Sequence, residues 1–297
     1  MTVLIDKFSG FCHGVLKTIE TTEKILAENP GKNIFVIGEI IHNHKEIVRL
    51  DNIGLKTIEV VDLENVARDF PDCIIIIRAH GEPPSTYKKI KELNLKLIDA
   101  TCARVKSLQR FVEKYHSAGY HIIIFGKDQH PEVVGLRGFC ENECDVIQYD
   151  KQIENLTFKS NNVVLISQTT MNKKQFLATA EILNKKINDI NHAGSNINFE
   201  VVDSTCKAVT NREDSLIEFA KSVDCLLFVS GKNSSNGKSL YQTALSANPN
   251  TYFIEGYEEI DFNIISKMNT IGISGATSTP NWYLEEIKNA IENKYSN

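Results

Sequence analysis

Short apolar runs alternate with longer segments of mixed polar and apolar residues along nearly the whole chain. The short runs are rich in β-branched residues and predict strands, whereas the mixed segments predict helices. The predicted strands cover residues 34–37, 73–77, 95–98, 122–125, 163–166, 201–202, 226–229 and 270–273. The predicted helices cover residues 15–27, 84–93, 105–117, 173–189, 212–222 and 282–293. This alternation is typical of an α/β fold with mainly parallel sheets.

One motif follows such an apolar run twice. The tetrapeptide Asp-Ala-Thr-Cys at 99–102 returns as Asp-Ser-Thr-Cys at 203–206, and a further cysteine, Cys12, follows the N-terminal run 3–5. A thiol at a strand-to-helix turn lies near backbone N–H groups and a helix N-terminus, which favour the thiolate. We therefore expect the three thiolates of Cys12, Cys102 and Cys206 to converge on one bound group.

The spacing of later landmarks supports a threefold repeat. A glycine that closes a predicted strand follows the three cysteines after 26, 24 and 25 residues, at positions 38, 126 and 231. A polar turn follows each glycine after 41, 41 and 43 residues, at positions 79, 167 and 274. Regular turns alone are common in α/β chains, but a cysteine at the same phase three times is not. We predict three similar modules, 1–98, 99–200 and 201–297, whose loops at the carboxyl ends of the strands face a central cavity around a pseudo-threefold axis.

Composition narrows the choice of partners and compartment. The 297 residues are 42% hydrophobic and 24% charged, and the net charge of −5 offers no attraction for nucleic acid or an anionic membrane. No apolar run approaches the roughly 20 residues that span a bilayer, and the N-terminus lacks the pattern of a secretory signal. We expect a cytoplasmic protein, in which the seven cysteines are thiols or ligands rather than disulfides.

Three chemistries remain open for the repeated cysteines. Three converging thiolates suit an iron–sulfur cluster with one iron left open for substrate, or zinc completed by a fourth ligand. Buried inert thiols are the third interpretation. Cys73 and Cys225 lie in apolar runs and are predicted core residues, while Cys140 and Cys144 lie outside the repeat and are weaker metal candidates.

The glycine loops and polar turns are rich in groups that bind phosphate oxygens by hydrogen bonds. These groups are His42, Asn43, His80, His130, Thr169, Thr170, Ser234, Ser235, Asn236, Thr277, Ser278 and Thr279. Glu132 lies in the second glycine loop, two residues after His130. In a closed site burial would raise its pKa and suit it to deliver a proton. Alternatively, it is a helix N-terminal carboxylate after Pro131.

Taken together, these motifs resemble those of the LytB-type 4-hydroxy-3-methylbut-2-enyl diphosphate reductases, the last enzymes of the non-mevalonate isoprenoid pathway. The matching segments are residues 10–15, 38–43, 79–81, 99–102, 130–133, 167–170, 232–236 and 278–280. The resemblance runs from residue 10 to about residue 290. It implies three pseudo-symmetric modules around a [4Fe–4S] cluster with one open iron, held by Cys12, Cys102 and Cys206.

The resemblance also implies a reaction and residue roles. Two electrons, from a donor such as ferredoxin or flavodoxin, and protons remove the substrate hydroxyl as water and give isopentenyl or dimethylallyl diphosphate. Glu132 is the implied proton donor, with Thr169 and His130 in a relay that also contacts substrate. The implied diphosphate ligands are His42, His80, Ser234, Ser235, Asn236 and Ser278.

Two positions depart from the family pattern. Val209 stands where a threonine is common after the third cysteine, and Lys127 stands where a further histidine often occurs. These changes affect fine substrate contacts rather than the reaction class. Two other classes are compatible with the same residues: a non-redox iron–sulfur hydro-lyase and a non-catalytic cluster or metal sensor.

Overall fold

The computed structural model describes residues 1–296. Its strands are β1 (Thr2–Ile5), β2 (Ile34–Ile37), β3 (Leu55–Ile58), β4 (Ile74–Ile77), β5 (Lys96–Asp99), β6 (His121–Phe125), β7 (Cys144–Ile147), β8 (Asn162–Ser167), β9 (Asn198–Val201), β10 (Cys225–Val229), β11 (Thr251–Ile254) and β12 (Thr270–Gly275). Its helices are α1 (His13–Glu28), α2 (His44–Asn52), α3 (Leu63–Asp69), α4 (Pro84–Glu92), α5 (Ala103–Ser117), α6 (Pro131–Gly138), α7 (Lys151–Glu154), α8 (Lys173–His192), α9 (Lys207–Lys221), α10 (Ser235–Ala247), α11 (Phe262–Ile265) and α12 (Asn281–Ser296).

Within the described residues, the strands form three four-stranded sheets with one shared topology. The orders are β3-β2-β4-β5, β7-β6-β8-β9 and β11-β10-β12-β1. Each strand pair with a described register is parallel. Strand β1 therefore occupies the place that β5 and β9 hold in the other sheets, and each of the three repeated cysteines follows the strand in that place. The predicted α/β class with similar parallel sheets is confirmed.

The apolar runs form strands because both faces of each central strand are buried. All residues of β2, β4, β6 and β10 are buried, as expected for central parallel strands between helices. Sequence patterns missed β3, β7 and β11, which are short, partly exposed strands at sheet edges. Such strands carry fewer apolar residues and so give a weak signal.

Several helices begin earlier in the sequence than their periodicity predicts. Helix α9 starts at Lys207, five residues before the predicted start, and helices α2, α6 and α10 were not predicted. Among the described residues, none of the helices combines the length and apolar character that crossing a bilayer requires.

The chain divides into two compact units. The first unit contains residues 1–27, 39–55 and the chain from Lys207 onward, and the second contains residues 28–38 and 56–206. The first unit holds the sheet of β10, β11, β12 and β1, while the second holds the sheet of β6 to β9 and nearly all of the sheet of β2 to β5. The division into three sequence modules stays a prediction.

Candidate active site

The second unit contains two copies of the same cysteine turn. In the first copy, the backbone N–H and hydroxyl of Thr101 both donate to Oδ1 of Asp99, at 3.0 and 2.5 Å. In the second copy, Thr205 donates to Oδ1 of Asp203 in the same way, at 3.1 and 2.5 Å. This Asx turn explains why the tetrapeptide recurs, since its aspartate and threonine shape the backbone that presents the following cysteine.

A lysine holds each turn aspartate in its charged form. Lys106 Nζ lies 2.7 Å from Asp99 Oδ2, and Lys173 Nζ lies 2.7 Å from Asp203 Oδ2. Burial acts to raise the pKa of both carboxyls, but the hydrogen bonds from the lysine and the threonine outweigh it and lower the pKa. The turns therefore keep their geometry at neutral pH.

All three repeated cysteines are tied to a polar turn by the same hydrogen bond. The N–H of Cys102 donates to the carbonyl of Ala79 at 3.0 Å, and that of Cys206 to Thr169 at 2.8 Å, both within the second unit. In the first unit, the N–H of Cys12 donates to Thr277 at 3.1 Å. The cysteine turns and polar turns found by counting residues are thus paired in the fold.

The three thiols also share their relation to a helix. Cys102 caps α5, Cys206 directly precedes α9, and Cys12 Sγ accepts a bond from the N–H of Val15 in the first turn of α1 at 3.5 Å. Each is a half-buried thiol. Soft sulfur donors at helix N-termini, partly shielded from water, are a donor set that fits an iron–sulfur cluster or another soft metal.

The most perturbed acid of the second unit is Glu132 in the first turn of α6. It is 1% exposed, and its Oε1 accepts the N–H of Thr169 at 2.7 Å while its Oε2 lies 2.8 Å from the Thr169 hydroxyl. Burial raises the pKa of Glu132 to about 7, although both hydrogen bonds from Thr169 act to lower it. The carboxyl therefore titrates near neutral pH, as a proton donor requires.

Two histidines complete this cluster. His130 caps α6, and its Nδ1 accepts the N–H of Glu132 at 3.1 Å. A neutral His130 therefore carries its proton on Nε2. The His80 ring meets the His130 ring edge to face, with centroids 5.2 Å apart. The structure thus brings together four residues predicted for one site: His80, His130, Glu132 and Thr169.

The first unit gathers another part of the predicted site at the start of α10. Ser234 caps this helix by accepting the N–H of Gly237 at 3.0 Å, and Asn236 Oδ1 accepts both the N–H and the hydroxyl of Thr277, at 3.0 and 2.8 Å. Gly231 packs against the carbonyl of His42 so closely that a Cβ would lie 2.3 Å from that oxygen. His42, Asn236 and the Cys12–Thr277 turn are therefore parts of one local structure.

Two buried polar atoms in this region lack a partner among residues 1–296. They are Nδ2 of Asn236 and Oγ of Ser278. Ser234, Ser235, Asn236 and Ser278 are all at most 9% exposed. Unsatisfied buried donors at a helix N-terminus are positioned to receive an anion, because that end of the helix attracts negative charge.

Sequence patterns missed a buried ion pair, in which Arg212 Nη2 lies 3.6 Å from Asp6 Oδ2. Arg212 donates through Nη2 to the carbonyl of Gly275 at 2.6 Å and to the hydroxyl of Ser274 at 3.2 Å, and Ser274 donates to Asp6 at 2.8 Å. Arg212 and Cys12 line the same cavity of about 270 Å³. The sequence feature that could have indicated this ion pair is Asp6, a charged residue directly after a strand.

The two departures from the family pattern differ in setting. Val209 is a buried apolar side chain on α9. Lys127 donates its N–H to Oε1 of Gln168 at 3.1 Å, which is a backbone contact that any residue except proline makes.

Comparison with known proteins places this α/β chain in a family. The model of the family described as LytB protein matches residues 3–292. The chain belongs to the LytB protein family, and the resemblance inferred from its motifs is confirmed.

Relatives and solved structures agree with that assignment. A 4-hydroxy-3-methylbut-2-enyl diphosphate reductase of Chloroherpeton thalassium is 37% identical, over 97% of this chain and 95% of the relative. The reductase of the same name from Bacteroides fragilis is 38% identical, over 98% and 97%. The corresponding reductase structure from Plasmodium falciparum matches with a TM-score of 0.85 at 26% identity, covering 98% of this chain and 88% of its own. A reductase described as the terminal enzyme of the non-mevalonate pathway matches with a TM-score of 0.70 at 32% identity, covering 99% and 100%.

Proposed function

We propose that this protein is a 4-hydroxy-3-methylbut-2-enyl diphosphate reductase, the activity for which its relatives are named. The reaction consumes two electrons and two protons, releases the substrate hydroxyl as water, and yields isopentenyl or dimethylallyl diphosphate. The observation that carries the proposal is Glu132, a buried carboxyl with a pKa of about 7 that is held by the Thr169 hydroxyl and whose backbone N–H is bonded to His130.

Cys12, Cys102 and Cys206 are the residues we assign to the cofactor, a [4Fe–4S] cluster. Their half-buried thiols and equivalent backbone hydrogen bonds support the assignment. Such a cluster, when bound through three thiolates, supplies electrons and an open iron that polarises the leaving oxygen.

The protein's own residues supply the proton. At neutral pH Glu132 carries a proton in a substantial fraction of molecules, and the hydroxyl of Thr169 lies within hydrogen-bonding distance to pass it on. His130 orients the acid through the N–H of Glu132 and retains a proton on Nε2. Because the carboxyl is buried, bulk water is excluded from the proton transfer.

We assign the diphosphate to neutral donors and histidines. In the first unit these are Ser234, Ser235, Asn236, Ser278 and His42, and in the second unit His80. The unpartnered buried donors of Asn236 and Ser278 support this role, since an anion would satisfy them at the positive end of α10. His130 and Thr169 contact the hydroxyl-bearing end of the substrate in this assignment.

The electron donor and the compartment are further parts of the proposal. We expect a small redox protein such as ferredoxin or flavodoxin to deliver electrons, with no nucleic acid or membrane as partner. The seven cysteines are present as thiols, which supports a reducing compartment such as the cytoplasm.

Anaerobic purification followed by assay with the diphosphate substrate tests the proposal. We expect brown protein with about four irons per chain, and turnover to both products only after dithionite or a reduced donor is added. Turnover without any reductant would identify a hydro-lyase instead. Colourless protein with stoichiometric zinc would contradict the proposal.

Glu132→Gln separates the reductase from a non-catalytic sensor. A reductase loses most turnover and keeps its iron and substrate binding, whereas a sensor behaves as before. Glu113→Gln, an exposed acid of the same unit, is the matched control and should retain full activity.

A further inference from the structure

Cys140 and Cys144 form a dithiol pair away from the proposed site. Cys140 lies just beyond the end of α6 and is fully buried, while Cys144 opens β7 and is half-buried. Cys144 packs against the apolar cluster that contains Cys140. Cys140 Sγ also lies 3.3 Å from the carbonyl of Arg137. The two cysteine side chains are therefore neighbours in the folded chain.

A tight turn holds the pair together. The N–H of Glu143 donates to the carbonyl of Cys140 at 2.7 Å, and Glu141 and Asn142 between them have φ of +50° and +64°. Two consecutive left-handed residues define a type I′ turn, which usually requires glycine or asparagine. The N–H of Asn142 donates to Arg137 at 2.8 Å, and Cys144 pairs with Ile122 of β6. The end of α6 and the register between β7 and β6 thus fix the two ends of the turn.

The pair differs electrostatically from the other buried thiols. The neighbouring Cys144 thiol, helped by the Arg137 guanidinium, lowers the pKa of Cys140 despite burial, and Cys140 in turn raises the pKa of Cys144. Burial, with a smaller contribution from Asp72, raises the pKa of Cys73, and burial together with Asp224 raises that of Cys225 to about 11. Of these thiols, Cys140 is therefore the one whose ionisation its surroundings favour.

We propose that Cys140 and Cys144 are a reversible dithiol–disulfide site whose oxidant is a hydroperoxide. The Cys140 thiolate attacks the peroxide oxygen, which gives a sulfenic acid and, after protonation of the leaving oxygen, one water from hydrogen peroxide. The Cys144 sulfur then attacks the sulfenic sulfur and releases a second water. Two thiols and one hydrogen peroxide thus become one disulfide and two waters, with two electrons passing from sulfur to the peroxide. A dithiol reductant reverses the change.

Peptide mapping of the full-length protein tests this site directly. The protein is treated with a small excess of hydrogen peroxide, alkylated after denaturation and digested with trypsin. Cleavage after Arg137 and Lys151 releases residues 138–151, which contain both cysteines and no other. We expect this peptide to become two hydrogens lighter, to escape alkylation, and to regain two reactive thiols after dithiothreitol.

Two other tryptic peptides are internal controls. Residues 69–78 contain only Cys73, and residues 222–232 contain only Cys225. Because the pKa values of these two thiols are raised, we expect the 138–151 peptide to be oxidised at least roughly tenfold faster. Equal rates would overturn the proposal, as would Cys140 sulfinic acid beside a free Cys144 thiol, or zinc bound at the pair.

Cys144→Ser gives a second test at the less buried position. In this variant we expect Cys140 to stop at the sulfenic acid, which dimedone traps, and failure of dimedone to label it would contradict the proposed order of attack. The wild-type map stands even if the variant folds poorly. Iron content and reductase activity are measured separately, so protein that closes this disulfide without holding a cluster would contradict the reductase and leave this site intact.

Discussion

The two units share one way of presenting a thiol and differ in what surrounds it. In both, the cysteine N–H is bonded to a polar turn and a helix begins at the cysteine. Beside Cys12, the first unit places neutral hydroxyl and amide donors. Beside Cys206, the second unit places a buried carboxyl with a pKa of about 7. The same scaffold therefore presents different chemistry in the two units, which is why we assign most of the diphosphate ligands to the first and the proton donor to the second.

The largest expected effect tests the feature that the units share. Cys12→Ser in the first unit and Cys102→Ser in the second should each abolish nearly all turnover and lower the iron content, because both thiols are assigned to one cluster. Iron and sulfide assays on anaerobic protein provide the measurement. Cys225→Ser, a buried thiol outside the turns, is the control, and iron loss limited to one unit's variant would break the comparison.

The second-largest expected effect is the loss of kcat when the acid of the second unit is replaced. Glu132→Gln should lower kcat by roughly 10²–10⁴-fold, the usual contribution of a general acid, with little change in KM. The matched change in the first unit, Asn236→Ala, should leave kcat within a few-fold. Similar losses of kcat in both variants would contradict the division between proton transfer and binding.

Binding residues of the first unit should show the opposite pattern. Asn236→Ala and Ser278→Ala each remove a buried donor, and we expect KM to rise roughly tenfold, corresponding to about 1.4 kcal/mol per charge-assisted hydrogen bond. Inorganic diphosphate should compete less well against these variants. Ser246→Ala, at an exposed position of the same helix, should change neither quantity.

The pH dependence of turnover tests the hydrogen bond between Thr169 and Glu132. Glu132 is protonated below its pKa of about 7, so turnover should fall as the pH rises above that value. In Thr169→Val the hydroxyl that lowers the pKa of Glu132 is lost, and the fall should move to higher pH. A profile that moves to lower pH would contradict the assigned hydrogen bond.

The free energy of unfolding should also depend on the protonation of Glu132, even without substrate. The folded pKa of Glu132 is about 7 and its ordinary value is 4.5, so the folded state binds this proton more tightly. As the pH rises from 4.5 through 7, wild type should lose about 3 kcal/mol of unfolding free energy relative to Glu132→Gln. Denaturant titrations of both proteins at pH 4.5 and 8 measure the difference, and parallel values would show that the carboxyl is hydrated.

Central strands and long helices were predictable because their signals are local. The run at 74–77 is apolar throughout, and the predicted strand at 34–37 coincides with β2. Edge strands such as β7, whose residues are mostly half-buried, were missed because partial exposure allows polar residues there. Helix α10 was missed because its first turn contains no apolar side chain.

The sequence by itself determined the class of fold, the three cysteine turns and the positions of the polar loop residues that we assign to the diphosphate. These features follow from periodicity and spacing, which adjacent residues specify. Only the tertiary structure decided that β1 joins β12 across the whole length of the chain, and that Thr169 lies on Glu132. The pKa of Glu132 depends on this second decision, because burial and hydrogen bonding, rather than the residue type, set the energy of its charge.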